Sequence, residues 1–279
     1  MILDGKKLRD ELLTNLKDRI KKYDLQIKLA IIEVGEDEAS KIYIRNKERY
    51  CALVGIKTVK YQLPEDATEE KLISLITSLN ADKSITGIIL QSPIPSHLDF
   101  DKLSNLIDSH KDVDGFTKDN VYNLYLNRET ILPCTVKGII KLLEHYKIDV
   151  AGKDIAIVGR GNIVGKPLSL ALANKKATVS MLHSATKDLA MYTKNADIVI
   201  AACGSPHIIK ENMIKDEAVV IDVGVSRVDG KITGDVDYES VINKASFITP
   251  NPGGVGPMTV AMIIDNLVEM KEREDKNNG

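Results

Sequence analysis

"KDIAIVGRGNIVGKPLSLALANK", residues 153–175, is the stretch from which the fold can be read. Ile155 to Val158 form a short apolar run, as expected of a strand buried on both faces. Gly159, Gly161 and Gly165 interrupt the run, and a helical pattern follows from "NIVGKP" to Lys175. A strand, a glycine turn and a helix in that order open a dinucleotide-binding unit, in which backbone N–H groups at the helix start meet a pyrophosphate. The spacing is GxGxxxG, not the commoner GxGxxG, so a tight β–α turn without a ligand stays open as the alternative.

The flanking sequence extends the unit. "ATVSMLH", "ADIVIAAC" and "AVVIDVG" read as further strands, and "SFITP" as a last short one. An earlier series precedes them. Leu8, Leu12, Leu13, Leu16 and Ile20 form one helical stripe behind a candidate Asp4 cap. "KLAIIEVG" reads as a strand, Ser40 to Val54 as a helix stopped by Gly55, and "KTVKYQL" as a strand. "TEEKLISLITSLN" is a helix with an acidic first turn, and "TGIILQSPIP" a buried strand entering a proline-rich loop. "CTVKGIIKLLEHYKI", Cys134 to Ile148, is a crossover helix between the two series. Repeated β-then-α order predicts parallel sheets. The fold expected is α/β with two domains: an N-terminal three-layer α/β domain, then a Rossmann-like doubly wound parallel sheet, with a cleft between them. The boundaries expected are 1–133, completed by a C-terminal helix over 256–279, and 134–255. That helix carries Val260, Ile263, Ile264 and Leu267 on one face and is expected to start at Pro257. The tail "KNNG" reads as disordered.

Bulk properties narrow the function. A length of 279 residues suits one large or two ordinary domains, and a net charge of −2 gives no global attraction to nucleic acid or an anionic membrane. Three scattered cysteines and five histidines without ligand spacing argue for a reducing, cytoplasmic setting and against disulfides or a metal site. The N-terminus becomes charged within four residues, unlike a signal peptide, and no apolar run approaches the ~20 residues of a membrane helix.

The strand after the glycine turn selects the cofactor. NAD sites usually carry an acid at its end, for the ribose 2′-OH. Here "MLHSAT" has His183 and Ser184, with no acid before Asp188, and Arg160 lies in the turn. Those groups would hold a 2′-phosphate that a carboxylate would repel. The cofactor expected is NADP.

In the first series, "SKIYIRNKERY" puts Tyr43 and Lys47 on one helical face. Gln91 ends a parallel strand, where ligands of such sheets bind. "KDVDGF" places Asp112 and Asp114 in a loop, as ligand groups or as turn caps, both readings being open. "TPNPGGVGPMT", Thr249 to Thr259, combines three prolines with three glycines. Such a loop is stiff and bare, as a close-approach binding loop or a structural turn would be.

Taken together, "SxxYxxxK", "KDVDGF", "PCT", "GRGNIVGKP", "VIDVG", "GDVD" and "PGGVGPMT" resemble the bifunctional methylenetetrahydrofolate dehydrogenase/methenyltetrahydrofolate cyclohydrolase family over nearly the whole chain. The resemblance implies NADP-linked oxidation of 5,10-methylenetetrahydrofolate to the methenyl form, hydrolysis of that to 10-formyltetrahydrofolate, and a cytoplasmic homodimer. It implies a catalytic set of Lys47 as the cyclohydrolase residue, Tyr43 stacking on the folate, Gln91 tuning Lys47, and Asp114 holding the pterin. Pro252, Gly253, Gly254 and Val255 would line the folate pocket with backbone. Gly159, Arg160, Gly161, Ile163, Val164, Gly165, His183, Ser184, Cys203 and Gly204 would bind the cofactor. The chain departs from the family at Glu33, Ser92, Val136 and Asn251, and at Gly161, where a serine is usual. The last removes a hydroxyl from the expected phosphate site. The rival readings are a monofunctional dehydrogenase of the same family, an amino- or hydroxy-acid dehydrogenase, and a non-enzymatic dinucleotide sensor.

Overall fold

The computed structural model describes residues 1–228 and 230–278, without the side chains of 39, 277 and 278. The chain forms two compact units, one of residues 11–134 with 260–279, the other of residues 1–10 with 135–259.

In chain order the first unit holds most of α1 (Gly5–Lys22), then β1 (Lys28–Val34), α2 (Glu38–Val54), β2 (Lys57–Leu63), α3 (Glu69–Ala81) and β3 (Gly87–Leu90). Two short helices, α4 (Phe100–Ser104) and α5 (Lys118–Tyr125), follow. The strands form a parallel sheet of order β2-β1-β3. Ala30, Ile32 and Val34 of β1 alternate onto one face, packed with Leu72, Ile76 and Leu79 of α3. Ile88 bridges in parallel to Asp112, which lays residues 111–113 along the free side of β3. This crossing is packed closely around a glycine. A Cβ on Gly87 would stand 2.3 Å from Val113 and 2.5 Å from Leu267. Glu33, an acid inside a sheet, is matched by Lys60 on the neighbouring strand at 2.6 Å.

The second unit contains most of α6 (Cys134–His145), followed by β4 (Asp154–Val158), α7 (Gly165–Asn174), β5 (Thr178–Leu182), α8 (Leu189–Thr193) and β6 (Ile198–Ala201). After a single 3₁₀ turn come β7 (Val219–Asp222), β8 (Ser226–Val228), β9 (Lys231–Thr233), α9 (Tyr238–Val241) and β10 (Phe247–Ile248). Its parallel sheet has the order β10-β7-β6-β4-β5. The chain winds outward from β4 to β5, then crosses back over β4 to β6. The doubly wound expectation is met. The antiparallel β8–β9 hairpin and the short helices α4, α5, α8 and α9 lie outside the sequence reading, being too brief to show periodicity.

Several boundaries differ from expectation. The final helix, α10 (Val255–Asn278), begins two residues before Pro257, which then occupies the first turn, where its missing N–H costs nothing. It runs on as helix through most of the "KNNG" tail, of which Gly279 lies outside the described residues. Helix α7 starts at Gly165, later than "NIVGKP" suggests, and α6 stops at His145. Residues 1–10 group with the five-stranded sheet because Ile2 bridges to Ile248 and the Leu3 N–H donates to the Ile248 carbonyl at 2.8 Å. From Val260 onward α10 belongs with residues 11–134, and the buried Asn266 amide donates there to the carbonyls of Val113 at 2.9 Å and Leu132 at 3.1 Å.

Candidate active site and cofactor site

Helix α2 starts on Asp37, whose carboxylate accepts the Ser40 N–H at 2.7 Å, and ends on Gly55 at φ 93. Ser40, Ile44, Cys51 and Val54 are its buried stripe. Lys47 lies within that stripe, three residues after Ile44 and four before Cys51, so the helix carries the amine inward. One turn earlier Tyr43 is 57% exposed, a free ring face beside the lysine.

Gln91 directly follows β3 and continues the ladder, its N–H donating to the Ile32 carbonyl at 2.9 Å. Its side chain is buried, and its Oε1 accepts from Lys47 Nζ at 2.9 Å. Its Nε2 donates to the Ser92 carbonyl at 2.6 Å, and the hydroxyl of Ser40 donates to the same oxygen at 3.3 Å. With Nε2 committed to a carbonyl, the amide can present only its oxygen to the lysine. Ser40 was not singled out from sequence. Its position in "SxxYxxxK" and its burial at a helix start are the signals that point to it.

The two acids of "KDVDGF" separate cleanly. Asp112 is the turn cap, accepting the N–H groups of Gly115 at 2.9 Å and Thr117 at 2.7 Å and the Asn120 amide at 3.0 Å. Asp114 faces the lysine electrostatically. Burial pushes its carboxyl above the usual range, the Lys47 charge pulls it down, and Asp112 pushes it up again. Lys47, Gln91 and Asp114 therefore belong to one cluster, built from α2, the end of β3 and the segment beside β3. The arrangement pairs a movable proton with a neutral amide that orients it and a carboxyl that can bind a polar heterocycle.

In the five-stranded sheet, three candidate cofactor segments leave adjacent strands at the same edge. Gly159 follows β4, His183 follows β5, and Cys203 comes two residues after the end of β6. This edge is the switch point of a doubly wound sheet, the place where such sheets bind nucleotides. Gly159 has φ 134, and a Cβ there would stand 2.1 Å from the Ala202 carbonyl oxygen. A Cβ on Gly165 would stand 2.1 Å from the Gly159 oxygen. Both glycines let the turn close against β6 and the helix start. Gly161 is different, with open space around its Cβ position. Arg160, Gly161, Ile163 and Ser184 are exposed, and Val164 is half-buried. His183 Nδ1 accepts the Ala185 N–H at 3.2 Å. The residues present fit a dinucleotide: a cradle closed to any side chain, an adjoining helix N-terminus, and an arginine with no carboxylate directly after β5.

The loop after β10 folds on itself. The Gly254 N–H donates to the Pro250 carbonyl at 2.8 Å, and the Lys6 N–H donates to the Gly253 carbonyl at 3.0 Å. A Cβ on Gly254 would stand 2.6 Å from the Thr249 Cβ, and one on Gly5 would strike the Gly254 oxygen. Gly253 holds φ 120. Gly254 is thus required by the loop's own packing, whatever binds to it, while Pro252 is exposed and Val255 buried.

Comparison with known proteins agrees along the chain. Residues 3–114 match the family model for the tetrahydrofolate dehydrogenase/cyclohydrolase catalytic domain, and residues 133–275 the model for its NAD(P)-binding domain. The chain is 49% identical over 276 residues to the bifunctional protein FolD of Agathobacter rectalis, covering 98% of this chain and 99% of that one. The crystal structure of the bifunctional FolD enzyme from Campylobacter jejuni superposes with a TM-score of 0.96 at 44% identity, covering 98% and 99% of the two chains. The Trypanosoma brucei dehydrogenase–cyclohydrolase, solved with NADP and an inhibitor, gives a TM-score of 0.92 at 33% identity over 99% and 98%.

Proposed function

Because the chain belongs to the tetrahydrofolate dehydrogenase/cyclohydrolase family, we propose that Lys47, Gln91 and Asp114, with Tyr43 beside them, carry its folate chemistry. The protein is a bifunctional enzyme of one-carbon folate metabolism, a methylenetetrahydrofolate dehydrogenase and methenyltetrahydrofolate cyclohydrolase dependent on NAD(P).

NAD(P), when bound, supplies the hydride acceptor. The substrate's own nitrogen lone pairs drive hydride loss, so the protein contributes alignment more than proton transfer. Tyr43 offers its exposed ring to the folate and Asp114 its carboxyl to the pterin. Ring opening makes different demands. Water adds to the methenyl carbon and loses a proton. The bond from that carbon to the ring nitrogen then breaks as the hydroxyl becomes the formyl carbonyl and releases its own proton to solvent, while the nitrogen takes a proton. One base that accepts the first proton and returns it serves both steps. Lys47 is that base. Gln91, fixed by the Ser92 carbonyl, directs the amine without competing for the proton. The observation that carries the reading is the 2.9 Å bond between Lys47 and Gln91 beside Asp114. A monofunctional dehydrogenase would have no use for it.

Gly159 to Gly165, the His183–Ser184 segment and Cys203–Gly204 would hold the dinucleotide. Arg160 and the absence of an acid directly after β5 favour NADP over NAD. We assign the folate chemistry to 1–133 with 256–279 and the cofactor to 134–255, a division that differs from the compact units in residues 1–10, 134 and 256–259. The enzyme acts as a homodimer in the cytoplasm, in keeping with three free thiols. No described helix is long and apolar enough to cross a membrane. The experiment is a coupled assay of purified protein with methylenetetrahydrofolate and either NADP or NAD. It should show methenyl absorbance rising and then decaying as 10-formyl product forms, faster with NADP. Methenyl product that accumulates without opening would refute the cyclohydrolase roles.

A further inference from the structure

Two buried acids take no part in the chemistry above. Asp235, in "GDVD", is completely buried, and Asp222, at the end of β7, is nearly so. Asp235 Oδ2 accepts the N–H groups of Cys203 at 2.7 Å and Gly204 at 3.0 Å. Its Oδ1 has no hydrogen-bond partner among the described residues. Its own N–H donates to Asp222 Oδ1 at 2.9 Å, and the Val236 N–H donates to Asp222 Oδ2 at 3.2 Å. Asp222 Oδ1 also accepts the Gly224 N–H at 3.0 Å, while its backbone N–H donates to the Thr249 hydroxyl at 2.7 Å. The Asn251 amide donates to the Gly224 carbonyl at 2.6 Å.

The glycines of "DVG" and "GDVD" serve this hub. A Cβ on Gly224 would stand 2.2 Å from Asp235 Oδ1, and one on Gly234 1.7 Å from Asp222 Oδ2. Backbone is thus pressed onto both carboxylates from two directions. A buried carboxylate without a cation costs stability and persists where its bonds hold something in place. What Asp235 holds is the pair of amides that begins the loop after β6.

We propose that Asp235 is a positioning residue for the cofactor: its buried carboxylate clamps the Cys203–Gly204 amides, and Asp222 anchors that clamp to Thr249 at the root of the 249–254 loop. The proposal rests on the reading that Cys203 and Gly204 touch the dinucleotide. An anionic acceptor for two N–H groups turns both amides inward and thereby sets how the loop faces the nucleotide. Replacing the carboxylate by a neutral amide keeps the shape and weakens the bonds. Replacing it by a methyl group removes them and leaves two N–H groups without an acceptor.

The test measures dehydrogenase kinetics of Asp235→Asn and Asp235→Ala against NADP, with cyclohydrolase turnover of supplied methenyltetrahydrofolate as the measure of folding. The expected result is graded: a KM for NADP raised several-fold in Asp235→Asn and roughly tenfold or more in Asp235→Ala, with cyclohydrolase turnover falling far less. An unchanged KM in both variants overturns the proposal. So does a parallel fall of both activities in Asp235→Asn, the outcome of a purely structural role. The underlying reading is tested separately in the unmutated protein by alkylation of the exposed Cys203. NADP should shield that thiol, and if it does not, the loop does not touch the cofactor and the reading fails first. Shielding combined with an unmoved KM overturns the positioning role alone.

Discussion

Lys47→Met separates the two activities. Methionine keeps the length and the apolar stem between Ile44 and Cys51 but has neither charge nor a transferable proton. The variant leaves Gln91 Oε1 without its 2.9 Å donor. A lost bond of that kind costs roughly 1 kcal/mol, partly offset by the added apolar contact, so the protein stays folded. Ring opening loses its base, and general acid–base help is typically worth ~10²–10⁴-fold. Hydride transfer, which depends on alignment, should lose much less, so methenyltetrahydrofolate accumulates and its absorbance persists. Asp114 supplies an independent readout. Burial already raises its carboxyl, and Lys47 is the influence that lowers it. Without Lys47 the carboxyl rises further. A carboxyl whose folded pKa exceeds its unfolded value stabilises the fold while protonated and loses that contribution as pH rises through the folded pKa. The variant should therefore match the parent most closely in acid and fall behind as pH rises above the ordinary carboxylate range. Urea midpoints across pH, with stopped-flow absorbance of the methenyl product, measure both effects. Normal ring opening in the variant removes Lys47 from the mechanism, and equal loss of both activities reduces it to a folate-positioning group. A midpoint difference independent of pH refutes the electrostatic link to Asp114.

Arg160→Ala should raise the KM for NADP by roughly tenfold to 150-fold, the worth of one charge-assisted contact, and leave NAD use little changed. Steady-state kinetics with both cofactors decide it, and equal losses for the two would refute 2′-phosphate recognition. Gly161→Ser meets open space, so thermal stability should stay within about 0.5 kcal/mol while NADP preference gains about twofold to tenfold from the added hydroxyl. Gly87→Ala pushes a methyl group against Val113 and Leu267 in the crossing beside β3. It should cost ~1–3 kcal/mol in urea unfolding, and an unperturbed midpoint would mean that the crossing can open.

Much of the site was legible because its signals are local. Tyr43 and Lys47 share a helical face by spacing alone. Gln91 ends a strand whose apolar run stops abruptly, and the absence of an acid after "MLH" is visible without any structure. Periodicity likewise identified the parallel strands of both sheets and the longer helices α1, α2, α3, α6, α7 and α10, through apolar runs and helical stripes. It did less well on α4, α5, α8, α9 and the β8–β9 hairpin, where three to eight residues are too few for a period to emerge.

The sequence by itself determined the element order, the doubly wound class and the identity of the reactive side chains. Those follow from hydrophobic period, from glycine and proline placement, and from residue chemistry, all of which act over a few neighbours. Tertiary structure alone decided which of Asp112 and Asp114 caps a turn and which faces Lys47. It decided that Gln91 offers its oxygen, because a carbonyl one residue on and a serine 51 positions earlier converge. It also decided that Gly254 answers to its own loop, and that Asp235 holds amides more than 30 residues away in the chain. Such assignments depend on partners remote in sequence, and a buried polar atom takes its role from whichever groups the fold brings within 3 Å of it.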